Sequence, residues 1–216
     1  LLGRKGEKNM KKVLKLMLAL VMTCAIAGCS SSSKNDADVT ITIGTSPDYA
    51  PYESLNKKGE IVGFDIDMVK LFEGYLSDME GKTYSLEFKQ MDFDNIVTQI
   101  QGDQIDLGIS GFTYSEDRVV EWSDPYLGTQ QVAVVPNGSS ITSNDQLVGK
   151  KLAAQTGATG EQAAKEVENA EVVSMKNVQD IFNGLASNQY DAAIVDLGVA
   201  KPVSYTHLRA HETPEH

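Results

Sequence analysis

"DNIVTQIQGDQIDLGISGFTYSEDR", residues 94–118, sets the architecture. Its first part predicts a short helix ending near Gly102, because apolar residues recur at helical spacing and a glycine follows. "QIDLGIS" then reads as a buried strand. Ser110 and Gly111 turn the chain, Thr113 adds a hydroxyl, and Ser115-Glu116-Asp117 carry a helix-start signature. One arginine, Arg118, closes the stretch. Helix, buried strand and polar turn form half of a βαβ unit, with the arginine just past the strand's carboxyl end.

Outward from this stretch the same alternation continues. "VTITIGT" is a β-branched strand, and "TYSLEFKQM" alternates like another. Between them "GFDIDMVKLFEGYLSDM" predicts a helix, with Ile66, Val69, Phe72, Leu76 and Met79 on one apolar stripe. After "SDPYLGTQ" a second series begins. Strands "QVAVV", "KKLAAQT", "EVVSM" and "DAAIVD" are separated by helices "GEQAAKEVEN" and "NVQDIFNGLASNQ". Two βαβ series joined by extended chain predict an α/β protein of two lobes, residues 39–129 and 130–203.

The front end differs. Before Cys29 stand six Lys/Arg and one acid; taking that surplus of +5 from the total of −11 leaves −16 for the rest. So acidic a body repels phosphates, so no nucleic-acid partner is expected. Residues 10–28 have a basic start, a short apolar core and small residues before Cys29, as a signal peptide does. The ending "IAGC" resembles a bacterial lipobox, which implies cleavage before Cys29, a lipid on its sulfur and attachment to a membrane. Residues 29–38 are a serine-rich tether. Residues 1–9 precede Met10 and are expected to be upstream sequence outside the native protein. With Cys24 removed and Cys29 acylated, the body has neither disulfide nor thiol nucleophile.

Residues 204–216 break the βαβ pattern and hold all three histidines. They read as a non-native tail without a packed role, and the His207/His211 spacing as chance rather than a zinc site. With the tail set aside, Ser–His, Cys–His and histidine–metal chemistry is excluded, and no metal or cofactor is expected. Asp65/Asp67 and Asp92/Asp94 read as helix-start acids on solvated faces, since neither pair has the remainder of a calcium loop.

"GATG", residues 157–160, joins a strand to a helix start, where free N–H groups suit a small anion. Arg118, Thr159 and Asp196 all stand at carboxyl ends of strands, where open α/β sheets take ligands. An arginine fork and free N–H groups suit a carboxylate; an aspartate suits an ammonium. Tyr49 and Phe93 also follow strands. The inventory fits an α-amino acid.

"VTITIGTSPDYAPYESLNKKGEIVGFDIDMVKLF", "DNIVTQIQGDQIDLGISGFTYSEDR", "SDPY", "LVGKKLAAQTGATGE" and "YDAAIVD" resemble, in order and spacing, the family 3 extracellular solute-binding proteins that serve ABC importers of polar amino acids. The resemblance covers residues 39–203. It implies a periplasmic-binding-protein type II fold whose lobes close on an amino acid about a hinge, with permease subunits as partners. A monomeric chain is expected, and the lipobox with its serine tether suggests a Gram-positive cell surface, with the periplasm of a Gram-negative cell as the alternative. By the same resemblance Arg118 grips the α-carboxylate, helped by the Thr159 N–H. Asp196, Thr113 and the Gly111 carbonyl hold the α-ammonium, with Ser110 in the same turn, and Tyr49 and Phe93 flank the side chain. Ser46 and Ala158 depart from the family pattern, which commonly has an aspartate and a hydroxyl there. The family's return to the first lobe beyond Asp196 is missing, which implies a C-terminally incomplete second lobe. The same fold also carries dehydratases and receptor sensing domains, which are the rival readings.

Overall fold

The computed structural model describes residues 37–203 and 208–212. Cys29, the signal segment and all but the end of the tether lie outside them. In the first lobe, β1 (Val39–Thr45) is the central strand of three, flanked in parallel by β5 (Tyr84–Gln90) and β6 (Leu107–Gly108). The crossovers are α1 (Phe64–Glu80) and α2 (Phe93–Gln101). A small antiparallel sheet of β2 (Asp48–Tyr49), β3 (Glu53–Leu55) and β4 (Ile61–Val62) lies between β1 and α1 in sequence.

The second lobe is a five-stranded sheet. Its strands are β7 (Gln131–Pro136), β8 (Lys151–Gln155), β9 (Glu171–Met175), β10 (Ala192–Asp196) and β11 (Leu208–Glu212), in spatial order β11-β7-β10-β8-β9. Helices α3 (Thr159–Glu166), α4 (Val178–Ala186) and α5 (Leu197–Val203) complete it. β8, β9 and β10 are parallel; β7 runs against β10. Period-two alternation splits β7 between two cores. Val132 and Val134 meet Val178, Ile181 and Leu185 of α4. Ala133 and Val135 face the other way, onto Leu152, Ala154 and Ala164. Both faces are covered, which is why the strand reads as a continuous apolar run. Tyr49 and Tyr52 reach from the small sheet into the α4 core.

Three expectations are corrected. The Ser115 helix does not form: the Arg118 N–H closes a turn on the Ser115 carbonyl at 3.2 Å, because Arg118 is held by tertiary contacts described below. On α1 only Ile66 and Val69 of the stripe are buried; Phe72 and Met79 are 50% and 64% exposed. The second half of this 17-residue helix meets the sheet along a narrow line: Leu76 is half-buried and the Ser77 hydroxyl accepts from the Tyr84 N–H of β5 at 3.4 Å, while Phe72 and Met79 stay exposed. Finally, Leu208–Glu212 of the tail does have a place, paired antiparallel with β7 from Leu208↔Pro136 to Glu212↔Val132. β7 would otherwise be an edge strand, whose backbone groups pair with any extended segment that reaches them. No group of three or more metal-ligating side chains occurs among the described residues.

Candidate ligand-binding site

A narrow cleft opens between the lobes at the carboxyl ends of their strands. Tyr49, Phe93, Gly111, Thr113 and Arg118 line it from the first lobe, and Thr159 and Asp196 from the second. Seven of the eight ligand residues expected from the sequence thus face one space. Ser110 does not: it is 1% exposed and lies behind the cleft. Its hydroxyl accepts from the Ser46 N–H at 3.0 Å and donates to Glu53 Oε1 at 3.1 Å.

Arg118 spans the two lobes. Nη1 donates to the Thr113 carbonyl at 2.6 Å, and Nη2 to the Gly157 carbonyl at 2.8 Å. Its guanidinium carbon lies 5.5 Å from the Phe93 ring centroid and 5.2 Å from that of Phe112. The rings are themselves in contact, with centroids 4.5 Å apart. Aromatic faces hold the cation by its charge and fix the plane of the fork. Burial lowers the Arg118 pKa and the Asp196 charge opposes that, but a guanidinium stays protonated.

Asp196 ends β10 and is 5% exposed. Oδ2 accepts from the Tyr49 hydroxyl at 2.6 Å; Oδ1 accepts from Gln131 Nε2 at 2.9 Å and Thr129 Oγ1 at 3.2 Å. Burial raises its pKa, while the bonds from Tyr49, Thr129 and Gln131 and the charge of Arg118 favour the anion. Tyr49 is therefore anchored by its hydroxyl, with its ring stacked on Tyr52 at 6.1 Å. Thr113 Oγ1 is buried with no hydrogen-bond partner, a polar atom left over on the cleft wall. At the second lobe's helix start, Ala158 occupies the N-cap of α3 and supplies no capping side chain. The Gly157 N–H is already taken by Glu161 Oε2 at 2.8 Å.

Sequence reasoning missed Phe112, Thr129, Gln131 and Gln155. Phe112 stands in the quoted turn, where only the position of Arg118 reveals it as the second ring, in contact with Phe93, beside which the guanidinium lies. Gln131 meets Asp196 because the two are register partners in β7 and β10. Gln155 lines the cleft and donates to Asp48 Oδ2 at 3.3 Å. Asp48 also accepts from the Val178 N–H of the second lobe at 2.8 Å, and Lys176 pairs with Asp92 at 2.7 Å. These bonds cross between the lobes and hold them together.

Two α/β lobes enclosing a cleft with a guanidinium on one wall and a carboxylate on the other define a two-lobed solute-binding protein. The chain belongs to the bacterial extracellular solute-binding proteins, family 3, whose model matches residues 41–161. It is 32% identical over 200 residues to the arginine-binding extracellular protein ArtP of Bacillus subtilis, covering 89% of this chain and 75% of that one. It is 30% identical over 192 residues to the histidine-binding periplasmic protein of Escherichia coli K12, covering 86% and 70%. Among solved structures, an ancestral arginine-binding protein bound to arginine superposes with a TM-score of 0.74 at 34% identity, over 81% of this chain and 79% of that one. An ancestral amino acid-binding protein, described as a precursor of cyclohexadienyl dehydratase, superposes with a TM-score of 0.71 at 32% identity, over 77% and 74%.

Proposed function

We propose that this chain binds a polar α-amino acid in the cleft and delivers it to the permease of an ABC importer. The observation that carries the reading is the opposition of Arg118 and Asp196 across one small cleft, with the unpartnered Thr113 hydroxyl in its wall. Arg118 exchanges its two carbonyl acceptors for the ligand's α-carboxylate, a stronger acceptor for a planar fork. The uncapped start of α3 at Thr159 adds backbone donors. Asp196 accepts the α-ammonium while Tyr49, Thr129 and Gln131 keep its carboxylate oriented. The Gly111 carbonyl is a further acceptor, and the ligand side chain runs between Tyr49 and Phe93 toward Gln155. The ligand favours the closed arrangement by the contacts it makes only there, and the permease reads that arrangement.

The chain acts as a monomeric carrier and not as an enzyme: among the described residues no histidine or cysteine lines the cleft, and its charged groups are committed to the two ends of the ligand. Lipid on Cys29 tethers it to the outer face of the cytoplasmic membrane. The relatives that bind arginine and histidine make these the first ligands to test. Calorimetry of the chain from Ser30 onward against the twenty amino acids decides the reading: saturable binding of at least one supports it, and binding of none overturns it. A turnover assay with cyclohexadienyl acids separates it from the dehydratase reading.

A further inference from the structure

Behind the cleft lies a pair of acids that do not line it. Glu53 of β3 and Asp65 in the first turn of α1 are both 0% exposed. The sequence suggested a solvated helix-start acid at Asp65; the fold buries it. Glu53 Oε1 accepts from the Ser110 hydroxyl at 3.1 Å. Asp65 Oδ2 accepts from the Gly111 N–H and from the Tyr126 hydroxyl, each at 3.0 Å. The second oxygens, Glu53 Oε2 and Asp65 Oδ1, are buried with no donor. The acids acting on Glu53 are Asp65 and Asp48, while Tyr49, Tyr52 and Tyr126 add only neutral hydroxyls around the pair.

The Asp65 N–H donates to the carbonyl of Tyr52, the residue before Glu53, at 3.1 Å, and the two carboxyls take their donors from the consecutive residues Ser110 and Gly111, which brings them together. Two neighbouring buried carboxylates cannot both stay ionised without a counter-charge, and two acceptors cannot bond each other without a proton. We propose that Glu53 keeps its proton in the fold and donates it as a hydrogen bond to the Asp65 carboxyl, through their unpartnered oxygens. As a neutral acid and a carboxylate, they position the Ser110–Gly111 turn for the ligand. Gly111 holds this turn at φ 54, where only glycine is unstrained, so the turn needs the fixed acceptor that Asp65 gives its N–H. Burial, then the Asp65 charge, pushes the Glu53 carboxyl up to about 10, which keeps the proton in place at neutral pH. Both acids are positioning residues: neither lines the cleft. The positioning role rests on the amino-acid reading above; the proton on Glu53 does not.

Infrared difference spectroscopy of the ligand-free protein, with Glu53→Gln as reference, tests the proton. One protonated carboxyl band at neutral pH, absent from Glu53→Gln, is expected; a parent chain with every carboxyl ionised overturns the proposal. Calorimetry with L-arginine, or with whichever amino acid the screen identifies, tests the positioning. Glu53→Gln, a neutral group of the same shape, is expected to bind within about threefold of the parent, and Glu53→Ala at least about tenfold more weakly. Equal losses in the two variants, or none in Glu53→Ala, overturn the positioning role. Should Glu53→Ala fail to fold, a loss of tenfold or more in Glu53→Gln still overturns it. If no amino acid binds, the function reading fails, while the infrared result still decides the proton on Glu53.

Discussion

The Tyr49 hydroxyl and Asp196, 147 residues apart, exchange two hydrogen bonds: the hydroxyl donates to Oδ2 at 2.6 Å, and the Asp196 N–H donates back to the hydroxyl at 3.1 Å. One oxygen therefore serves as donor and acceptor, joining the small sheet of the first lobe to the end of β10. Tyr49→Phe keeps the ring on Tyr52 and strands the Asp196 N–H. A loss of about 1–3 kcal/mol in stability is expected, the range for an unsatisfied buried group. Urea unfolding of parent and variant checks it; an unchanged midpoint would show that the bond contributes nothing net.

The sequence reveals which chemistry meets in the cleft but not how it is held. Arg118, Thr159 and Asp196 were legible because strand ends are legible, and strand ends are where α/β sheets take ligands. Gln131 was not, because its tie to Asp196 exists only through the register of β7 on β10. The pairing of Ser110 with Glu53 was hidden for the same reason, 57 residues separating them. The Ser115 signature misled because local capping chemistry lost to the pull of Arg118 toward Thr113 and Gly157. The α1 stripe misled because periodicity predicts a buried face without saying what covers it.

Removing residues 204–216 uncovers the outer edge of β7 and takes Ala210 off the core that it packs against. The thermal midpoint is expected to fall by roughly 2–4 °C per kcal/mol of lost pairing for a chain of this size. Calorimetric scans of the two lengths measure it. Superimposable transitions would mean that Leu208–Glu212 pairs with β7 without stabilising it.

Glu53 gives stability a pH dependence of known sign. Its carboxyl is raised from 4.5 to about 10 in the folded chain, by burial first. Between those values the folded state holds a proton that the unfolded state has released, so stability is greatest on the acid side and is lost as pH rises. The slope from this group is at most about 1.4 kcal/mol per pH unit. Asp48 and Asp196, also raised by burial, add slopes of the same sign. The difference between parent and Glu53→Gln isolates Glu53. Denaturant unfolding at a series of neutral to alkaline pH values is expected to show the parent declining more steeply. Parallel curves would mean that Glu53 is ionised in the fold.

Arg118 supplies the sharpest test of the cleft. Arg118→Ala leaves the ligand's carboxylate desolvated without a partner, at an expected cost of roughly 2–5 kcal/mol, mostly the penalty of the stranded charge. That corresponds to about 1.5 to 3.5 decades of affinity. Arg118→Lys is expected to recover only part, since an ammonium cannot supply two parallel donors or present a planar cation to the Phe93 and Phe112 rings. Because Arg118 also ties Thr113 to Gly157, some of any loss could come from loosened lobes rather than from the carboxylate. A ligand analogue lacking the α-carboxylate separates the two. It should bind the parent weakly and be nearly indifferent to Arg118→Ala if the arginine acts on the carboxylate. If the analogue loses as much affinity as the amino acid does, Arg118 serves to hold the lobes together and the carboxylate is bound elsewhere.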